Sequence, residues 1–218
     1  MVREQFQYDL KELQEKTLEL GALAKDALRT AMEGLRSRNI DVALRVIDND
    51  YRMDHLEEEI NHFALMLITK QQPVASDLRR IFASIKMASD LERVADHAVN
   101  IAKSAIRIGD KGAAVALEDL NQMFQIADEM LSLAMEAYQG EDVRIARQIA
   151  EMDDTVDELY GKAVRAFISS IPEKPEDINH VMQLSFVARY IERAADHATN
   201  IAESVFYLVK GKHYFLNE

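Results

Sequence analysis

Two segments of this chain, one hundred residues apart, are nearly identical. Residues 92–104 and residues 192–204 agree at 10 of 13 positions, and the shared residues include Glu, Arg, Asp, His and Asn. An ordinary pair of amphipathic helices shares a hydrophobic pattern but not this many specific polar residues. The chain therefore contains an internal repeat, and its two copies are expected to fold alike.

Residues that form turns are scarce, which favours long helices. Only 7 Gly and 3 Pro occur among the 218 residues, about half the usual share. Apolar residues recur at steps of three and four along most of the chain. The pattern predicts six helices, at residues 4–36, 41–70, 76–109, 113–138, 141–170 and 176–210.

The breaks between these helices divide the chain into two sets of three. Asn39 is a predicted N-cap, Pro73 interrupts the second connection, and the segment 109–112 with its two glycines is the clearest linker. Short connections make neighbouring helices antiparallel. We therefore expect an all-α fold of two tandem three-helix bundles, residues 1–109 and 112–218, related by an internal pseudo-twofold repeat.

Composition excludes several classes of function. The absence of Cys rules out disulfides, iron-sulfur clusters and thiolate zinc sites. A net charge of -12 argues against nucleic acid as a partner. The longest apolar run covers residues 63–68, whereas about 20 residues are needed to span a bilayer. The polar N-terminus lacks a signal-peptide pattern, so a cytoplasmic location is expected.

Each copy of the repeat carries two acidic pairs spaced four residues apart. The pairs are Asp50 with Asp54, Glu92 with Asp96, Asp153 with Asp157, and Glu192 with Asp196. Residues four apart share one face of a helix, where like charges repel by a few tenths of a kcal/mol. If the second and third helices of each copy pack antiparallel, four carboxylates converge in each half.

Such a cluster is suited to a hard multivalent cation such as Mg, Ca, Mn or Fe, which prefers oxygen ligands. Asn100 and Asn200 extend the acidic stripe by one turn and could add an amide oxygen. His97 and His197 follow the last acidic residue but point about 100° away from it. Direct ligation by these imidazoles is the less favoured interpretation.

An alternative interpretation is a solvated lattice of salt bridges. Arg189 precedes Glu192 by three residues, and Arg193 precedes Asp196 by three, which suits ion pairing along a helix. The first copy has Ser89 where the second has Arg189, yet its acidic pair persists. The segment from Glu59 to His62 matches Glu-x-x-His, but a di-iron core needs a second such motif and none occurs.

The whole chain resembles the PhoU family. The resemblance rests on the repeated sequence Glu-Arg-x-Ala-Asp-His-Ala-x-Asn-Ile-Ala at 92–102 and 192–202, together with the acidic pairs on the preceding helices. It implies a negative regulator of phosphate uptake and of the phosphate-starvation response. It also implies multinuclear metal clusters, of Fe, Mn, Mg or Zn, at the matching residues: Asp50, Asp54, Glu92, Asp96, Asp153, Asp157, Glu192 and Asp196.

The expected partners also follow from this resemblance. They are the ATPase subunit of a phosphate ABC transporter and a sensor histidine kinase, with contact to the membrane only through them, and a homodimer is expected. No catalytic residue and no organic cofactor are predicted. Two rival hypotheses are a carboxylate-bridged metal-dependent hydrolase or oxidase, since two-metal sites can activate water, and a helical spacer that binds no metal.

Charge is distributed unevenly between the two copies. Residues 1–109 hold 16 Lys and Arg against 18 Asp and Glu, whereas residues 110–218 hold 10 against 20. The two halves are therefore expected to present different surfaces, and a docking face on the second half should prefer a basic partner.

Overall fold

The structure is a computed structural model that describes residues 2–109, 117–169, 175–212 and 214. Over these ranges it is entirely helical apart from short connections, as predicted. The described residues form seven helices: α1 (Val2–Ser37), α2 (Ile40–Asn49), α3 (Tyr51–Gln71), α4 (Ala75–Ile108), α5 (Leu117–Gly140), α6 (Val143–Ser169) and α7 (Pro175–Lys210).

The predicted second helix is divided into α2 and α3 at Asp50. The Asp50 N–H bonds weakly to the Ile47 carbonyl at 3.4 Å, and the Met53 N–H bonds to the Asp50 carbonyl at 2.9 Å, so both bonds span three residues rather than four. The Asn49 side chain meanwhile donates to the Arg45 carbonyl at 2.8 Å. Competition of this kind between polar side chains and the backbone weakens a helix locally. The predicted second helix is therefore interrupted at Asp50, which keeps helical backbone angles (φ −55°, ψ −42°).

The helix ends follow local signals. The Asn39 side chain accepts hydrogen bonds from the Asp41 and Val42 N–H groups, which confirms the predicted N-cap. The helix after Gly140 begins at Val143 rather than residue 141, because Glu141 has a φ of 50° and Asp142 accepts from the Arg144 N–H. The predicted linker residues 110–112, the predicted helix start at 113 and Pro172 lie outside the described residues, so the boundary at 109–112 stays a prediction.

The long helices α4 and α7 form an antiparallel pair in the middle of the molecule. Arg79 near the start of α4 donates to the Leu208 carbonyl near the end of α7 at 3.1 Å, and Phe82 meets Tyr207 with ring centroids 6.0 Å apart. On one side α1, α2 and α3 pack against α4, and on the other α5 and α6 pack against α7. This arrangement confirms two three-helix units, with α2 and α3 together serving as one member of the first.

One continuous hydrophobic core runs through both units. Equivalent positions of the repeat are buried in both copies, such as Ile81 with Val181 and Leu91 with Ile191. The alanines predicted to permit close helix packing are also buried; they are Ala88, Ala95, Ala98, Ala102, Ala188, Ala195, Ala198 and Ala202. Small side chains let helix backbones approach closely, which explains why α4 and α7 can both lie at the centre.

Among the helices that the structure describes, none is both long enough and apolar enough to cross a membrane.

Candidate metal centres

The first acidic cluster consists of Asp50, Asp54, Glu92 and Asp96 and lies where α3 packs against α4. Asp50 sits at the break before α3 and Asp54 in its first turn. Glu92 and Asp96 lie one turn apart near the middle of α4. Asp54 is exposed, and the other three are partly buried.

These carboxylates act on one another across the two helices. Burial, followed by the charges of Asp54 and Asp96, raises the pKa of the Asp50 carboxyl. Burial also raises the pKa of Glu92, with further contributions from Asp96 and Asp54. Asp50 and Glu92 therefore each lie near an acidic residue of the other helix, so carboxylates of the two pairs approach one another in the first half.

Two positively charged side chains, Arg93 and Lys103, lie near the first cluster. Arg93 Nη1 bonds to Asp96 Oδ2 at 3.0 Å, and its Nε lies 3.5 Å from Glu92 Oε2. The exposed Lys103 lowers the pKa of Asp50, but by less than burial and the neighbouring carboxylates raise it. The cluster therefore keeps an unfavourable concentration of negative charge.

The second acidic cluster consists of Asp153, Asp157, Glu192 and Asp196 and lies where α6 packs against α7. Asp153 is 4% exposed and lies one turn before the exposed Asp157. Burial, then Asp196, raises the pKa of the Asp157 carboxyl. Burial, then Asp196, raises the pKa of Glu192 to about 7. Asp157, Glu192 and Asp196 are thus brought together across the two helices.

Arginines are bonded closely to this second cluster. Arg189 Nη1 donates to Glu192 Oε1, and Arg193 Nη1 donates to Asp196 Oδ2 at 2.8 Å. The Arg189 guanidinium also lies over the Tyr160 ring, 5.9 Å from its centroid. Both ion pairs have the spacing of the predicted salt-bridge lattice. However, Glu192 is only 8% exposed, which a solvated surface lattice would not require.

The residues of both clusters fit a hard cation in their chemistry, because all the side-chain donors are carboxylate oxygens. In the second cluster, Glu192 Oε2 is buried and has no hydrogen-bond partner among the described residues. In the part of the chain that the structure describes, no three His, Asp or Glu side chains form a ready-made cage for one ion. Binding would require the carboxylates to turn from their arginine partners towards the cation.

His97 and His197 do not point into the clusters, in agreement with the helix geometry. They stack on each other between α4 and α7, with ring centroids 5.5 Å apart. His197 Nδ1 lies 2.9 Å from Asp90 Oδ1, and Asn200 Nδ2 donates to the same oxygen at 3.2 Å. Asn200 therefore turns its amide nitrogen towards Asp90 instead of extending the acidic cluster.

The role of Asp90 was not found from the sequence. The only signal is a difference within the repeat, since Tyr190 occupies the equivalent position of the second copy. Helical spacing places neither His197 nor Asn200 near Asp90, because more than one hundred residues separate them.

The Glu-x-x-His segment forms surface ion pairs. Glu59 bonds to Lys16 at 3.0 Å and to His55 Nδ1 at 3.1 Å, and the His55 and Glu59 side chains are 71% and 44% exposed. This exposed arrangement gives no support to a di-iron core.

Comparison with known proteins agrees with the internal repeat. The sequence matches the PhoU domain family twice, at residues 17–105 and 120–205. It is 34% identical over 219 residues to a protein of Clostridium acetobutylicum named "Phosphate-specific transport system accessory protein PhoU homolog", with 100% of both chains covered. A protein of the same name from Aquifex aeolicus is 38% identical over 213 residues, covering 96% of both chains.

Solved structures show the same fold. A crystal structure of PhoU from Pseudomonas aeruginosa has a TM-score of 0.91 and 30% identity, and the match covers 95% of this chain and 100% of that one. The phosphate transport system regulatory protein PhoU from Streptococcus pneumoniae has a TM-score of 0.90 and 28% identity, with 96% and 99% covered. The likeness extends over both copies of the repeat and nearly the full length of each relative, so the chain is a member of the PhoU family.

Proposed function

We propose that this chain is a non-enzymatic negative regulator of phosphate uptake and of phosphate-starvation signalling. It couples a phosphate ABC transporter to a sensor histidine kinase. The observation that carries this proposal is the full-length likeness to proteins named as accessory to phosphate-specific transport. The transporter's ATPase subunit and the cytoplasmic part of the kinase are the proposed partners, which places the chain at the cytoplasmic side of the membrane.

The proposal assigns a binding role to the two acidic clusters. Each would hold multivalent metal ions through its carboxylates, namely Asp50, Asp54, Glu92 and Asp96 in the first and Asp153, Asp157, Glu192 and Asp196 in the second. A bound Fe, Mn, Mg or Zn ion supplies positive charge that relieves the repulsion between the carboxylates. The raised pKa values of Asp50, Glu92, Asp157 and Glu192 support this assignment.

A regulatory role is tested in a bacterial host that lacks its own phosphate-uptake regulator. The chain should restore repression of a phosphate-starvation reporter and lower phosphate uptake when phosphate is plentiful. A variant with the eight cluster carboxylates changed to amides serves as the matched control, since its fold can be checked by circular dichroism. A reporter that stays fully active with the wild-type chain present would contradict the proposal.

Direct binding tests the proposed partners. The purified chain should bind the ATPase subunit and the cytoplasmic fragment of the kinase, and binding through an acidic face should weaken as salt screens it. A bound multivalent cation offsets part of the negative charge, so affinity should also depend on metal. Affinities that do not change with salt, metal or carboxylate variants would show that the clusters play no part in partner choice.

Light scattering of the purified chain tests the predicted homodimer.

The rival enzymatic function, a carboxylate-bridged hydrolase or oxidase, predicts turnover by metal-loaded protein. The proposed regulator should hydrolyse no phosphate ester and oxidise no substrate above the rate of the free metal. A cluster-dependent turnover that disappears in the amide variant would favour the rival.

A further inference from the structure

The two acidic clusters differ at one position that contacts a carboxylate. Arg189 lies three residues before Glu192, whereas the equivalent residue of the first copy is the exposed Ser89. The neighbouring Arg93 and Arg193 are matched in the two copies and pair with Asp96 and Asp196 in the same way. The second cluster therefore has one directly bonded cation more than the first.

Arg189 is held at the second cluster by two contacts. Its Nη1 donates to Glu192 Oε1, and its guanidinium lies over Tyr160 of α6. The contacts come from both helices that form the cluster, so the guanidinium lies across the groove between them. An arginine held by a carboxylate and an aromatic face is oriented more firmly than a freely solvated one.

The carboxylate that Arg189 bonds is itself largely buried. Glu192 is 8% exposed, and within the described part of the chain its second oxygen is buried without a hydrogen-bond partner. A buried carboxylate oxygen is costly to leave unpaired, so Glu192 has an unfilled place for a positive ligand. Arg189 satisfies only one of the two oxygens.

The first cluster has no counterpart of Arg189: Glu92 is left with Arg93, whose Nε lies 3.5 Å away and whose Nη1 is bonded to Asp96. Lys103, whose equivalent in the second copy is Glu203, is exposed and acts on Asp50 only as a weak neighbouring charge. Because Ser89 stands where the second copy has Arg189, a cation entering the first cluster does not compete with an arginine at that position. A cation entering the second meets the positive charge of Arg189 and must share Glu192 with it.

We propose that Arg189 is a built-in counter-ion of the second acidic cluster, so that the first cluster binds divalent cations more tightly and fills first. This inference rests on the proposed metal-binding role of the clusters. The Arg189 side chain is about half exposed, so water screens part of its charge, and we expect the affinities to differ roughly three- to tenfold. With unequal sites, the two halves fill over different but overlapping ranges of cation concentration.

Calorimetric titration of the chelator-treated full chain with Mn²⁺ tests the inference. The wild type should show a tighter and a weaker class of site. Asp96→Asn should remove the tighter class and Asp196→Asn the weaker one, which assigns each class to a half. Arg189→Ser should tighten the weaker class three- to tenfold, and the repeat-matched Ser89→Arg should weaken the tighter class by a similar factor.

Two further variants separate a charge effect from damage to the fold. Arg189→Lys keeps the charge and should leave the weaker class weak. The double variant Ser89→Arg with Arg189→Ser should exchange the ranking of the two halves. Circular dichroism and thermal melting of the metal-free variants check that each is folded.

Each outcome bears on a defined claim. Equal affinities in the wild type, or a weaker class unchanged by Arg189→Ser, would overturn the inference and leave the proposed regulatory function intact. A complete lack of Mn²⁺ binding in all variants would overturn it together with the metal-binding role. Unequal binding that follows residue 189, in a chain that fails to repress the reporter, would support the inference and overturn only the regulatory role.

Discussion

His97 and His197, which occupy equivalent positions of the repeat, stack on each other with ring centroids 5.5 Å apart. Their contact places the local pseudo-twofold axis between α4 and α7. The surroundings of the two rings differ. His197 bonds to Asp90, whereas both ring nitrogens of His97 are buried and find no hydrogen-bond partner in the ranges that the structure describes, and the His97 ring stacks on Tyr190. Burial, followed by the charges of His197 and Arg193, lowers the pKa of His97 to about 4.

The first prediction concerns stability in acid. His97 resists protonation in the folded protein but protonates near its ordinary pKa of 6.5 once unfolded. Between these values only the unfolded state takes up the proton, so the free energy of unfolding decreases as the pH falls from 6.5 towards 4. His97→Phe removes this contribution and should flatten the profile by about 1–2 kcal/mol, allowing for partial exposure of the ring.

Urea unfolding from pH 7.5 to 4.5 measures this effect. The exposed His62 on α3 provides a control, and His62→Phe should leave the acid dependence as in the wild type. A His97→Phe profile parallel to that of the wild type would refute the prediction.

The second prediction concerns Glu192 in metal-free protein. Its pKa is raised from 4.5 to about 7, so between these values the folded state holds a proton that the unfolded state has released. The free energy of unfolding therefore decreases as the pH rises from 4.5 through 7. Glu192→Gln is neutral at all pH values, so it should be about 1–2 kcal/mol more stable than the wild type at pH 8 and equal to it near pH 4.

Thermal melts in chelator across this range provide the measurement, with Glu92→Gln as the equivalent variant of the first copy. The pKa of Glu92 is also raised by burial and Asp96, so its difference from the wild type should have the same sign. A Glu192→Gln variant that is less stable at pH 8 would show that the pair with Arg189 outweighs burial.

The third prediction concerns a hydrogen bond between the two copies of the repeat. Tyr138 of α5 is 3% exposed, and its hydroxyl lies 2.7 Å from Ser84 Oγ of α4. Since Ser84 donates its own proton to the Arg80 carbonyl, Tyr138 is the donor in this pair. Tyr138→Phe should cost about 1 kcal/mol in urea unfolding. A double-mutant cycle with Ser84→Ala should be non-additive, and additive effects would show no coupling.

The fourth prediction concerns the independence of the two clusters. Asp96→Asn should lower the metal bound by the first half and leave the second largely occupied, because the clusters lie in separate helix pairs, and Asp196→Asn should do the reverse. Elemental analysis of purified variants measures this.

Chelation should also lower the melting temperature of the wild type, since a ligand that binds only the folded state stabilises it. A melting temperature indifferent to chelation at every metal concentration would refute binding of useful strength.

Much of the fold could be predicted because its signals are local. Asn39 caps a helix through its own side chain, and apolar spacing along α4 and α7 follows the period of a helix. The repeat added long-range information, since it required equivalent positions such as Leu91 and Ile191 to be buried alike. The acidic clusters could be predicted from the same two signals, the helical spacing of the carboxylates and their repetition in both copies.

The remaining features depend on contacts that helical spacing does not encode. The break at Asp50 reflects competition between side chains and backbone over a few residues that otherwise favour a helix. The bond between Asp90 and His197 joins two helices far apart in the chain. The pairing of Arg189 with Glu192 was foreseen as an alternative, but its placement over Tyr160 requires the packing of α6 on α7.

The interruption at Asp50 places the first acidic pair at a helix boundary, where the second acidic pair has none. Asp50 and Asp54 lie on either side of the start of α3, whereas Asp153 and Asp157 lie within the continuous helix α6. A cation bridging Asp50 and Asp54 would tie the residue between α2 and α3 to the first turn of α3, and would so restrict the angle between the two helices. Asp153 and Asp157 lie within one uninterrupted helix, so a cation bridging them would leave the direction of α6 unchanged.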